Sequence, residues 1–255
     1  MDIDMTSTLV ATGSADSTVK VWDIDGGYCT HSFKGHGGVV SVAKFHPNMK
    51  HPRLATGGDD GTIRIWNLST RKCESVLEGH VSIVRGLDFT TDGRHLVSAG
   101  RDSVIHIWDI KARRIVRTIP AYESLESVGL LAPGTGFDKD AYDAAGKSAY
   151  GKLVVYSGGE NGVIRLWDFD TGKELLRQNK EVNAKHACFD IIYARNSQQL
   201  LMVTSDQNIL FYDVTRQLTK VRQIAGYNEE ITDLRYIGPG NRHLIVATNA
   251  EYLKL

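Results

Sequence analysis

The feature that most restricts how this chain can fold is a repeat. Four segments align without gaps: STVKVWDI (17–24), GTIRIWNL (61–68), SVIHIWDI (103–110) and GVIRLWDF (162–169). A fifth, QNILFYDV (207–214), joins them with Tyr212 in place of tryptophan. The aromatic residues Trp22, Trp66, Trp108, Trp167 and Tyr212 are separated by 44, 42, 59 and 45 residues. Each segment alternates apolar and polar residues, the period of a half-buried strand. Each follows a turn rich in Gly, Asp or Asn, and a second strand-like run precedes the turn: LVATGSAD, LATGGDD, LVSAGRD, VVYSGGEN and LMVTSD. Alternating runs on either side of such turns are hairpins. Short strands at regular intervals, without long helical patterns between them, leave a barrel, a sandwich or a propeller, and a period of about 43 residues selects the propeller.

With those residues in view, the chain resembles the WD-repeat family. Gly35-His36 and Gly79-His80 are intact Gly-His pairs, and Trp22-Asp23, Trp108-Asp109 and Trp167-Asp168 are Trp-Asp pairs. Trp66-Asn67 and Tyr212-Asp213 are close variants. The resemblance implies an all-β WD-repeat β-propeller. The chain begins at what reads as the second strand of a blade. It ends at Leu253-Lys254-Leu255, which matches the VKV before Trp22. The expected architecture is therefore an incomplete propeller of about four full blades and two partial ones. All of 1–255 then belongs to one propeller, as a piece of a longer protein. Alone, such a piece is expected to be marginally stable or prone to associate, because unpaired strand edges invite pairing.

The interval between Trp108 and Trp167 is longer than the others, and the excess falls in PGTGFDKDAYDAAGKSAYGK (133–152). A flexible loop between the first two strands of a blade accounts for its composition. Gly146-Lys147-Ser148 is similar to the end of a phosphate-binding loop, but that motif needs glycine where Ala141 stands and a helix afterwards, and here a strand is expected. Asp138, Asp140 and Asp143 suggest a calcium loop, but Tyr142 and Ala149 fall on ligand positions.

His80, Ser98 and Asp102 are the residue types of a hydrolase triad, and His36, Thr56 and Asp60 repeat them. Recurrence once per blade, ending on Trp108 and Trp66, favours structure over catalysis. In the WD-repeat family, residues at these positions resemble a hydrogen-bond chain of His, Ser or Thr, Asp and Trp that ties the loop entering a blade to its inner hairpin. Later repeats depart from the pattern. Tyr122 stands where histidine is expected, Asn161 replaces aspartate and Gly226-Tyr227 replaces Gly-His. Those blades are expected to rely on apolar packing, Tyr122 included.

Charge and cysteine content narrow the partners only slightly. Thirty basic residues balance thirty acidic ones, so bulk charge points to no nucleic acid. Lys111, Arg113 and Arg114, followed by Arg117, form a local basic cluster that is a candidate RNA contact. It also fits a solvated outer strand whose charges discourage edge pairing. Cys29, Cys73 and Cys188 are too few and odd in number for a disulfide framework, which fits a reducing compartment. Cys29 and Cys73 occupy equivalent repeat positions. His46 and His51 flank the insertion FHPNMKHPR with no cysteine near to complete a zinc site. No cofactor, metal or small-molecule substrate is expected, nor a membrane partner, since no apolar run approaches a membrane span.

The phrases THSFKGHGGVVSVAKFHP (30–47), RTIPAYESLESVGLL (117–131) and QIAGYNEEITDLRYIGPGNRHLIVATNAEYLKL (223–255) carry a closer resemblance, to the family of transducin-beta-like protein 3. That family supplies a tandem-propeller subunit of the small-subunit processome, the nucleolar U-three small nucleolar ribonucleoprotein that processes pre-18S ribosomal RNA. The resemblance implies a non-catalytic scaffold for small ribosomal subunit biogenesis. Its partners would be other WD-repeat subunits of the UTP-B subcomplex and further processome proteins, with small nucleolar or pre-ribosomal RNA as a secondary contact. A different WD-repeat adaptor, such as a ubiquitin-ligase substrate receptor, is the alternative, although no ligase-docking element is visible. Asp59, Arg85, Arg101 and Glu160 are expected near one propeller face as candidate protein-docking residues. Their mixed chemistry suits proteins better than phosphates.

Overall fold

The computed structural model describes residues 1–131, 152–178, 186–194, 197–225, 230–237 and 243–249. The phosphate-loop and calcium-loop motifs, the rest of the insertion up to residue 151, Gly226-Tyr227 and Leu253-Lys254-Leu255 lie outside these. The described residues form antiparallel sheets, each a run of consecutive strands. The first sheet contains β1 (Asp2–Ile3), β2 (Leu9–Gly13), β3 (Thr18–Asp23) and β4 (Tyr28–Lys34). The second contains β5 (Val40–Phe45), β6 (Arg53–Gly58), β7 (Ile63–Asn67) and β8 (Lys72–Leu77). The third contains β9 (Val84–Phe89), β10 (His95–Gly100), β11 (Val104–Asp109) and β12 (Arg114–Pro120). The fourth contains β13 (Leu125–Leu131), β14 (Val154–Gly159), β15 (Arg165–Asp168) and β16 (Glu174–Arg177). The fifth contains β17 (Cys188–Ala194), β18 (Gln199–Thr204), β19 (Ile209–Asp213) and β20 (Thr219–Ile224), and a hairpin of β21 (Ile231–Ile237) and β22 (His243–Thr248) follows. Each four-stranded sheet has the form of a WD-repeat propeller blade, and each repeat aromatic lies on the third strand of its blade.

The first blade corrects one detail. Its first strand was expected to be missing, yet Asp2–Ile3 pairs with Val10 and Ala11. Asp4 makes this stub hold. Its carboxylate accepts the amides of Thr8 at 2.8 Å and Leu9 at 2.7 Å, which closes the turn; against the opposing effect of burial, the Thr6 hydroxyl and then these amides keep the Asp4 pKa below the usual range.

A feature invisible in the repeat is a register shift immediately before every aromatic. It falls between Val21 and Trp22, Ile65 and Trp66, Ile107 and Trp108, Leu166 and Trp167, and Phe211 and Tyr212. A bulge of this kind bends the strand and re-aims a side chain.

The chain divides into two compact units, Met1–Val128 and Gly129–Leu255. In the first unit, Val19, Val21 and Phe33 of the first blade pack with Val40, Phe45 and Leu54 of the second, around Trp66. Phe33 stacks on Trp66 at 4.9 Å between centroids. Ile63, Ile65 and Leu77 of the second blade pack with Val84, Leu87 and Leu96 of the third, around Trp108. In the second unit, Val154, Ile164 and Leu166 pack with Ile191, Leu200 and Tyr212. In these clusters an aromatic anchors one blade against the apolar face of the one before it. Burial of such faces is the main favourable term in sheet-on-sheet packing.

Candidate functional site

Two hydrogen-bond chains run through the second and third blades. In the third, Trp108 Nε1 donates to Ser98 Oγ at 2.8 Å, Ser98 Oγ lies 2.7 Å from His80 Nε2, and His80 Nδ1 lies 2.8 Å from Asp102 Oδ2. The proton positions follow. A carboxylate can only accept, so His80 carries its proton on Nδ1 and gives it to Asp102. The neutral ring then presents a bare Nε2, which accepts the hydroxyl proton of Ser98. Burial lowers the His80 pKa, with Asp102 opposing, which is consistent with a neutral ring. In the second blade, Trp66, Thr56, His36 and Asp60 repeat the chain at 2.8, 2.8 and 3.0 Å. The carboxylates also fix the incoming loops: Asp60 Oδ2 accepts the Gly37 amide at 2.8 Å and Asp102 Oδ2 the Val81 amide at 3.0 Å. Ser98 and Thr56 have no exposed surface, and each oxygen already accepts an indole N–H. Neither is an accessible nucleophile, so these sets do not have the geometry of a hydrolase triad.

Other blades keep the indole end of the chain. Trp22 Nε1 donates to Thr12 Oγ1 at 3.1 Å and Trp167 Nε1 to Ser157 Oγ at 2.8 Å. The later blades do not depend on apolar packing alone, and Tyr122 does not supply it. Tyr122 is 80% exposed, while its neighbour Glu123 is buried. Further along, buried Gln178 donates from Nε2 to the Tyr212 hydroxyl at 2.9 Å and accepts the Ile164 amide at 3.1 Å. Glutamine reaches across by a longer arm where no Gly-His pair precedes the aromatic. Asn161 lies in the turn after β14.

Of the candidate docking residues, Arg85 and Arg101 come together around a residue that pattern reading missed, with Asp59 at longer range from Arg101. Glu126 on β13 accepts from Arg85 Nε through Oε2 and from Arg101 Nε through Oε1, both at 2.7 Å. Its side chain is 13% exposed. The bond to Glu126, and at longer range Asp59, holds the Arg101 pKa above its ordinary value. Glu160 is exposed after β14, in the second unit. One signal for Glu126 was available. Arg85 and Glu126 are opposite charges about one repeat apart near the start of first strands. Lys44 shows the same one-repeat spacing of opposite charges near the ends of first strands, 3.6 Å from Asp2 and 3.4 Å from Asp88. Val81 and Tyr122 stand at matching places in the loops entering the third and fourth blades and are 90% and 80% exposed. Tyr122 has a left-handed φ of 60°.

Lys111 and Arg113, in the turn between β11 and β12, and Arg114, the first residue of β12, are all exposed. His46 is not poised for metal. It is buried, with Nε2 3.0 Å from the Gly93 carbonyl and Nδ1 accepting the Asn48 amide at 3.0 Å. No group of three or more His, Cys, Asp or Glu side chains suited to a metal ion occurs among the described residues. Cys29 and Cys73 are free and exposed, each opposite the tryptophan of its blade.

Residues 1–23, 27–67 and 71–109 match the family model described as WD domain, G-beta repeat. Over all 255 residues the chain is 38% identical to Transducin beta-like protein 3 of Rattus norvegicus and 36% identical to that of Homo sapiens. It is 37% identical, again over its whole length, to U3 small nucleolar RNA-associated protein 13 of Saccharomyces cerevisiae. The chain spans about a third of the length of these relatives, 31% of the first two and 32% of the yeast protein.

Proposed function

We propose that this chain, which belongs to the WD-repeat family, is part of a non-catalytic scaffold of the small-subunit processome that supports pre-18S ribosomal RNA processing in the nucleolus. The observation that carries the reading is similarity along the entire chain to Transducin beta-like protein 3 and to a yeast protein whose name associates it with U3 small nucleolar RNA. Both units are read as parts of one propeller. Its partners are other WD-repeat subunits of the UTP-B subcomplex and further processome proteins. RNA is a secondary contact, through Lys111, Arg113 and Arg114.

The protein-docking surface is placed at Asp59, Arg85, Arg101 and Glu126, with Val81 and Tyr122 as apolar anchors, and at Glu160 in the second unit. Charges that already neutralise one another beside rigidly held, exposed apolar side chains suit a protein interface, where aromatic anchors carry most of the energy. Reversing Arg85 and Arg101 is a poor test, because it would surround Glu126 with carboxylates and disturb the fold. Val81→Ser with Tyr122→Ser changes only exposed side chains. In the full-length protein, this pair is expected to leave the melting temperature nearly unchanged and to weaken co-purification of partner WD-repeat proteins by at least about fivefold. Wild-type protein that brings down no U3 RNA, and ubiquitin-ligase subunits instead, would sink the processome reading. Wild type that brings down U3 RNA and a variant that retains every partner would sink only the surface.

A further inference from the structure

The turn between the third and fourth strands of each blade has one position that is always left-handed. It lies five residues after the repeat aromatic: Gly27 at φ 68°, Arg71 at 57°, Arg113 at 55°, Gly172 at 72° and Gln217 at 52°. Glycine adopts this conformation without penalty, and arginine does not. The first and fourth blades use glycine, while two consecutive blades place an arginine there, each followed by a second cation, Lys72 and Arg114. All four side chains are exposed, and none makes an ion pair or hydrogen bond among the described residues.

The two turns belong to one rim. At this end of the third blade, the Ile110 amide donates to the Arg94 carbonyl at 3.1 Å, so exposed Arg94 adjoins Lys111. At the same end, His46 of the second blade meets the Gly93 carbonyl of the third at 3.0 Å. A methyl group on Gly93 would lie 2.4 Å from the His46 ring, so the blades are tightly joined here. The acids of this rim are fewer than its cations, and each already accepts other hydrogen bonds, although Asp109 stands opposite Arg114. Asp109 caps the turn by accepting the Ala112 amide at 2.7 Å, Asp92 accepts the Arg94 amide at 3.0 Å, and Glu74 holds Arg53 through two bonds. In the second blade the same cap is made without charge, by Asn67 accepting the Thr70 amide at 2.9 Å. The other end of these blades is the opposite case, with Arg85 and Arg101 both spent on Glu126.

We infer that this rim, Arg71 and Lys72 of the second blade with Arg94, Lys111, Arg113 and Arg114 of the third, is a site for the phosphodiester backbone of RNA. Exposed cations in excess of the acids around them follow a chain of phosphates without reading bases. Guanidinium groups held out by turns, at a backbone cost that glycine would avoid, fit selection for contact rather than for folding. The inference extends the RNA contact proposed above and rests on that reading only for the choice of RNA as the polyanion.

The test uses the purified full-length protein, a fluorescein-labelled oligouridylate and fluorescence anisotropy across a salt series. Wild type is expected to bind with an affinity that falls steeply as salt rises. Arg71→Gly with Arg113→Gly should melt at a higher temperature than wild type and yet bind at least about tenfold more weakly near 0.1 M salt, with the salt slope reduced by about 1.4. Replacing both arginines with lysine should retain most of the affinity. Because the assay needs no other processome protein, its outcome is separate from that of the co-purification. The inference is overturned if the double glycine variant binds like wild type. It is also overturned if a polyglutamate peptide of equal charge competes as well as unlabelled oligouridylate, since the site would then prefer no phosphate backbone.

Discussion

Replacing His80 with alanine is expected to lower unfolding free energy by about 3 kcal/mol, the cost of leaving a buried carboxylate short of its main partner. Ser98 is not where most of the loss falls, because its oxygen still accepts the Trp108 indole at 2.8 Å. Asp102 is worse placed. Its side chain is 3% exposed, and without His80 its remaining hydrogen bond is the one from the Val81 amide. A double-mutant cycle separates the two. His80→Ala measured in an Asp102→Asn background should cost clearly less than in wild type, because the stranded charge is gone. Urea unfolding of the four proteins measures this. Equal costs in both backgrounds would mean that the His80–Asp102 pair carries no coupling energy and that the chain ends at His80.

Acid is expected to destabilise the protein well above the range in which carboxylates titrate. His106, on β11, lies with its ring 4.6 Å from that of His80 and 5.5 Å from that of Trp108. Burial, followed by the neighbouring His80, pushes its pKa down to about 4 from an ordinary 6.5, with Asp102 opposing. His36, His46 and His80 are lowered too, each chiefly by burial. A histidine whose folded pKa lies below its unfolded pKa binds more protons when unfolded, so stability rises with pH between the two values. For His106 that window runs from about pH 4 to 6.5, and the shift corresponds to roughly 3 kcal/mol lost as pH falls through it. The lowered carboxylates Asp4, Asp60 and Asp168 add their own losses only near and below 3.8. Thermal unfolding from pH 7 to 4 should therefore show a steep decline. His106→Phe, which keeps a ring against Trp108 and removes the titration, should flatten it. A decline that is unchanged in this variant would refute the assignment to His106.

The blades were legible because a propeller writes its packing into the chain once per repeat. Alternation marks the half-buried strands, the turn residues mark the hairpins, and the aromatic at a fixed place marks where one sheet meets the next. The polar residues His80, Ser98, Asp102 and Trp108 could be grouped from their recurrence alone, since His36, Thr56, Asp60 and Trp66 copy them. Recurrence misled at Tyr122, where an aromatic read into a histidine's place suggested packing. Counted from the start of the first strand, Tyr122 matches Val81, the residue after His80, and like Val81 it faces solvent, while its neighbours Ala121 and Glu123 are buried.

Period and residue type thus determined the fold class, the strand order within each blade and the residues available for the polar chain, because these depend on contacts that repeat locally. Other properties depend on how separate blades approach one another, and only the tertiary structure decided them. A bulge before each aromatic lies within a blade, yet it too leaves no mark in alternation, since it is set by the fit of the third strand to the fourth. Glu126 became the shared partner of Arg85 and Arg101 because β13 brings it to them across the boundary between blades. His106 acquired its depressed pKa from burial and from the His80 ring, although its place in the strand is held by half-buried cations, Lys20 and Arg64, in the first two blades. Charge pairing and desolvation act through space over a few ångströms, and a one-dimensional pattern carries that distance only where the repeat happens to preserve it.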